Sequence, residues 1–137
     1  MRASPGLILV VEDEPNLREP LAHLLRLRNY DVMTADTAES ALDAMQGRQP
    51  DAAIVDLQLK QGSGRDVIAR MPSAVPVIIF SGMRSASGQL ERLRPRTRLV
   101  EKPASLTWLI DELGEMLVSG ATEQAEATEY GSHGGTE

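Results

Sequence analysis

Runs of consecutive aliphatic residues constrain this chain more than any other feature. Leu7–Val11 reads LILVV, Ala52–Leu57 reads AAIVDL, and Val75–Phe80 reads VPVIIF. A strand with one wet face alternates apolar and polar residues, whereas a strand apolar at every position is covered on both faces. Shorter runs at Asp31–Ala35 and Thr97–Val100 read as two more strands. Helical periodicity falls between the runs. Leu17, Leu21, Leu24 and Leu25 share one face after Pro15, with Pro20 close to the helix start and Asn29 at its end. Thr37 caps a second helix carrying Ala38, Ala41, Leu42 and Met45, and Gly47 ends it. Gly62 and Gly64 mark a loop, and Val67, Ile68 and Met71 begin a short helix. Ser85–Leu93 reads as a weak fourth helix, and Ser105 caps a last one with Leu106, Leu109, Ile110, Leu113 and Leu117 on one face.

Strand and helix therefore alternate five times. The expected fold is α/β: a doubly wound, five-stranded parallel sheet with five helices, since parallel crossovers need helices. Residues 1–118 form one domain in this reading. From Ser119 the chain is poor in large apolar residues and carries Glu123, Glu126, Glu129 and Glu137 with no Lys or Arg, so 119–137 is expected to be a disordered acidic tail.

Composition excludes several classes of function. The 137 residues contain no cysteine, so disulfides and thiolate chemistry are absent. A net charge of −6 argues against direct DNA binding. No apolar run approaches the roughly 20 residues needed to span a bilayer, and the N-terminus lacks the apolar core of a secretory signal. A cytoplasmic domain with no membrane partner is expected.

Parallel strands place their carboxyl ends on one rim, where such sheets carry function. The first strand delivers Glu12 and Asp13, the third Asp56, the fourth Ser81 and the fifth Lys102. Like charges crowded at the end of a buried strand call for a cation. An oxygen-rich anionic site suits Mg²⁺, which can also bridge phosphoryl oxygens. Asp56, at the end of an apolar strand, is a candidate phosphoryl-accepting nucleophile. The Ser81 hydroxyl and Lys102 ammonium are candidates to hold the phosphoryl oxygens.

The segments VVEDEP, AAIVDLQL, VIIFSG and EKP occur in this order over about Leu7 to Val118. In them the chain resembles the receiver domain of bacterial two-component response regulators, single-domain type. The resemblance implies a flavodoxin-like sheet of order 2-1-3-4-5. It implies that Asp56 accepts a phosphoryl group from a histidine kinase or phosphotransfer protein. It implies Mg²⁺ held by Asp13, Asp56, the main-chain carbonyl of Gln58, and Glu12 directly or through water. Ser81 and Lys102 would bind the phosphoryl group, and the Lys102–Pro103 bond would be cis. The domain would not be an enzyme beyond Mg²⁺-dependent self-phosphorylation and autodephosphorylation. Nothing after Val118 is expected to form a DNA-binding module. The signal would pass to a downstream protein through the fourth helix, fifth strand and fifth helix.

Two residues depart from the family pattern. Lys60 stands where proline is common, which predicts a looser loop after Asp56. Leu99 stands where Tyr or Phe is common, which puts the usual aromatic switching in question. Other readings remain open. A degenerate receiver would act only as a binding module. An aspartate-nucleophile phosphatase would want an acid where Gln58 stands. Arg92, Arg94, Arg96 and Arg98 are either a solvated edge or a docking patch. Trp108 lies outside the apolar stripe, as a surface contact or as core packing, and His23 and His133 look incidental.

Overall fold

The computed structural model describes residues 4–82 and 94–130, with side chains to 119. Five strands lie among the described residues: β1 (Leu7–Val11), β2 (Asp31–Ala35), β3 (Ala52–Val55), β4 (Val77–Ser81) and β5 (Thr97–Glu101). Four helices lie among the described residues: α1 (Pro15–Leu27), α2 (Ala38–Gly47), α3 (Gly64–Ala69) and α4 (Leu106–Tyr130). The helix expected at Ser85–Leu93 lies outside the described residues. All strand pairs are parallel and the order is β2-β1-β3-β4-β5, as the resemblance implies.

The unbroken aliphatic runs divide by parity between two cores. Leu9, Val11, Ala53, Val55, Val77 and Ile79 face α2 and α3, where Ala41, Met45, Val67 and Ile68 meet them. Ile8, Val10, Ala52, Ile54, Ile78 and Phe80 face α1 and α4, against Leu21, Leu25, Leu109, Ile110 and Leu113. Central strands therefore need apolar residues at every position, because alternate side chains leave opposite faces.

Local chemistry sets the boundaries. Asn29 takes φ 75° after α1. The N–H of Tyr30 donates to Leu25 O and that of Asn29 to Arg26 O, closing the helix end. Thr37 and Ser40 form a reciprocal capping box at α2. β4 starts at Val77 rather than Val75, because Pro76 has no N–H to give a ladder. Gly64 is the first residue of α3, not part of the loop. A Cβ there would stand 2.2 Å from the Asp56 carbonyl oxygen, so the helix can start against β3 only at a glycine.

Two expectations change. The last helix continues past Val118 to Tyr130, so an irregular tail does not begin at Ser119. Ala121, Gln124, Ala125, Glu126 and Ala127 are strong helix formers, and no Pro interrupts them. The arginines, in turn, are largely committed. Arg94 donates to Pro72 O and Thr97 Oγ1, Arg96 to Ala74 O and Met116 O, and Arg98 to Glu112. They clasp the α3–β4 loop, β5 and α4 together rather than forming an open basic patch. Burial, with Arg96 beside it, lowers the Arg94 guanidinium from its ordinary value. Arg92 lies outside the described residues.

Candidate functional site

The rim gathers the expected residues. Register sets Val11 beside Val55 and Ser81 beside Glu101, so the residues that follow these positions converge. The N–H of Asp56 donates to Val11 O and that of Lys102 to Ser81 O, carrying the ladder just past the strands. Glu12, Asp56 and Ser81 are buried. Asp13 is half-buried and Gln58 exposed.

Lys102 is the hub. Its Nζ lies 2.9 Å from Glu12 Oε1 and 2.9 Å from Asp56 Oδ2. The same ammonium stands 5.5 Å above the Phe80 ring centre. Burial alone would lower the Lys102 ammonium, but the hydrogen bonds to Glu12 and Asp56 outweigh it and raise it. Burial pushes the Glu12 carboxyl above its usual range, against the pull of Lys102 and of the Glu14 N–H. The Lys102–Pro103 peptide is cis.

The other Asp56 oxygen, Oδ1, accepts the Gln58 N–H at 2.9 Å. Asp13 Oδ2 accepts the Lys60 N–H at 2.7 Å. The loop after Asp56 is thus tied to the loop after β1, which corrects the expectation that Lys60 loosens it. Lysine keeps the N–H that proline lacks.

Glu12, Asp13 and Asp56 each offer a carboxylate oxygen, all within 4.8 Å of one another. An all-oxygen, hard, anionic donor set of this size fits Mg²⁺, which takes few carboxylates and keeps water. Lys102 offsets part of the charge of the three acids, and the remainder is what a divalent ion would neutralise.

Sequence reading missed Arg18. Its Nη1 donates to the Glu12 carbonyl oxygen at 3.0 Å, which brings a second cation beside Lys102 to this rim. Its place in the first turns of α1, above the acid run, was the available signal. Leu99 is half-buried beside the α2–α3 core, and Trp108 is 46% exposed, resolving its two readings toward the surface.

A model of the response regulator receiver domain matches residues 8–113. The chain belongs to that family. The receiver is 37% identical over 89 residues to the transcriptional regulatory protein KdpE of Mycobacterium tuberculosis, covering 64% of this chain and 39% of that protein. It is 34% identical over 117 residues to the sensory transduction protein RegX3 of Mycolicibacterium smegmatis, covering 83% of this chain and 51% of that one. The DNA-binding response regulator MtrA of Mycolicibacterium smegmatis is 30% identical, with 85% of this chain and 57% of MtrA covered. This chain therefore spans about 39 to 57% of the length of these relatives. Among solved structures, NtrX from Brucella abortus superposes with a TM-score of 0.75 at 26% identity, over 90% of this chain and 29% of that one. The non-phosphorylated HemR receiver domain from Leptospira biflexa gives 0.72 at 25% identity, over 81% and 93%. The receiver's role is that of a phosphoacceptor in two-component signalling. No helix among the described residues is long and apolar enough to cross a membrane.

Proposed function

We propose that Asp56 is the phosphoacceptor and that the domain takes its phosphoryl group from a phosphohistidine on a histidine kinase or phosphotransfer protein. The observation that carries this reading is the meeting of Asp56 and Lys102 at 2.9 Å beside an acid cluster able to hold a cation. An Asp56 carboxylate oxygen attacks phosphorus, the phosphorus–nitrogen bond breaks, and the histidine ring leaves with its electron pair. Lys102 then pairs with the phosphoryl oxygens as it now pairs with the carboxylate. The Ser81 hydroxyl, buried at the end of β4, would hold another phosphoryl oxygen. Asp13, Asp56, the Gln58 carbonyl and Glu12 would hold Mg²⁺, which when bound neutralises charge building on the phosphoryl group. A second displacement, in which water attacks phosphorus and the bond to the Asp56 oxygen breaks, releases inorganic phosphate and returns the free carboxylate; the domain acts on no other substrate in this reading.

Residues 1–118 serve as the receiver in this reading, acting in the cytoplasm. The downstream partner is a protein that docks on β5 and α4 together with the expected helix at Ser85–Leu93; exposed Trp108 on α4 supports that surface. The test is intact mass after incubation with Mg²⁺ and acetyl phosphate. Wild type should gain one phosphoryl group, and Asp56→Asn should not. An equal gain in the mutant would reject the assignment.

A further inference from the structure

The contact between Lys60 and Asp13 joins a backbone group to the most exposed of the three clustered acids. Lys60 lies on the loop between β3 and α3, four residues beyond Asp56. Its N–H reaches Asp13 Oδ2 at 2.7 Å, short for a nitrogen donor. That bond is not an accident of a wandering loop, because the loop is held at several further points. Gln58 N–H donates to Asp56 Oδ1 at 2.9 Å, and Gly64 N–H donates to Leu57 O at 3.2 Å. Gln58 and Ser63 form an antiparallel bridge that closes the loop on itself. Gln61 O accepts the N–H of Ala38, the first residue of α2, at 3.2 Å. Gly62, at φ +86°, lies so near α2 that a Cβ would stand 2.5 Å from Ala38 Cβ. The loop is wedged between the start of α2 and Asp13, so the direction of the Lys60 N–H is set from both sides.

We propose that the Lys60 peptide N–H is a positioning group for the cation site. It fixes the Asp13 carboxylate through Oδ2 and leaves Oδ1 to the ion. An ionised carboxylate accepts at both oxygens, so one amide bond does not exhaust it. Mg²⁺ demands near-ideal geometry and takes carboxylates sparingly, so a carboxylate already held in one rotamer loses less freedom when it binds. Groups that hold a metal ligand from outside commonly matter roughly tenfold or more to affinity. The amide also offers a donor to an acid crowded by Glu12 and Asp56. The Lys60 side chain takes no part; the functional atom belongs to the backbone. This inference rests on Asp13 being a Mg²⁺ ligand.

The experiment titrates MgCl₂ into the full chain by calorimetry for wild type, Lys60→Ala and Lys60→Pro. Alanine keeps the N–H and removes the ammonium, whereas proline removes the N–H. The expected result is wild-type affinity in Lys60→Ala and a loss of roughly tenfold in Lys60→Pro. Equal affinity in all three, or tighter binding in Lys60→Pro, overturns the proposal while leaving the metal reading in place. No Mg²⁺ binding by wild type overturns both. Proline could disturb the loop for other reasons, so amide exchange is followed in unmutated protein with Mg²⁺ present. The Lys60 amide should exchange much more slowly than an open loop amide. Exchange at the open-loop rate overturns the proposal whatever the variants do.

Discussion

Lys102 Nζ and Asp56 Oδ2 stand 2.9 Å apart, linking the end of β5 to the end of β3 across β4. The carboxylate is buried and the lysine side chain 20% exposed, so the pair is shielded from water on most sides. A buried pair of this kind contributes little net stability, but removing one partner strands the other.

Lys102→Ala should therefore fold but lose about 2 kcal/mol without Mg²⁺, since Glu12 and Asp56 both lose a charged donor. Added Mg²⁺ should restore part of that loss by supplying positive charge to the same oxygens. Thermal melts in chelator and in millimolar Mg²⁺ measure both effects. A mutant as stable as wild type in chelator would mean that Lys102 shares no charge with these acids. Phosphorylation should still occur, while the exchange changes that follow it in wild type should shrink.

Mg²⁺ should raise the melting temperature of wild type. At ten times the dissociation constant the linkage is worth about 1.4 kcal/mol. Asp13→Asn should weaken this shift more than Glu12→Gln. Glu12 already has Lys102 and the Glu14 N–H as partners in its buried position, while Asp13 stands more open at the rim. The reverse ranking of the two mutants would exchange their roles.

Gly64→Ala should be among the most damaging single-methyl changes, at about 2–3 kcal/mol. The added carbon would meet the Asp56 carbonyl oxygen at 2.2 Å and push on the loop carrying Gln58 and Lys60. Gly47→Ala is the control: a Cβ there meets nothing within 4 Å, and alanine should be neutral or stabilise α2 by roughly 0.5 kcal/mol. Urea unfolding of both variants decides the matter, and equal midpoints would contradict the packing account.

Arg96→Ala should lower stability by about 1–2 kcal/mol, because two carbonyls, those of Ala74 and Met116, lose their donor. Arg96 also sits at φ 53°. Arg96→Gly should consequently be milder than Arg96→Ala by up to about 1 kcal/mol, since glycine adopts that conformation freely. Both variants should be phosphorylated at the wild-type rate, as Arg96 precedes β5 at the edge of the sheet opposite the rim. A slowed phosphorylation rate would connect the clasp to the site.

The sequence by itself determined the α/β alternation and which strands lie at the centre. Those properties follow from residue type at fixed spacing: a strand apolar at each position has two covered faces, and helices carry their apolar residues every three to four positions. It also placed Glu12, Asp13, Asp56, Ser81 and Lys102 at one rim, because parallel strands bring their carboxyl ends together and each of these residues follows or ends a strand. Tertiary structure alone decided the rest. The Lys60 amide is a donor that every residue but proline carries, so only the path of the loop reveals its partner. Arg18 and Arg96 reach carbonyls that no residue pattern marks. The arginines before and within β5 looked like free charge because a sequence counts charges without the oxygens they meet. The length of α4 is marked by no apolar stripe, since helix-forming residues continue past Val118. Local pattern decides what must be buried; the route of the chain through space decides which polar groups find one another.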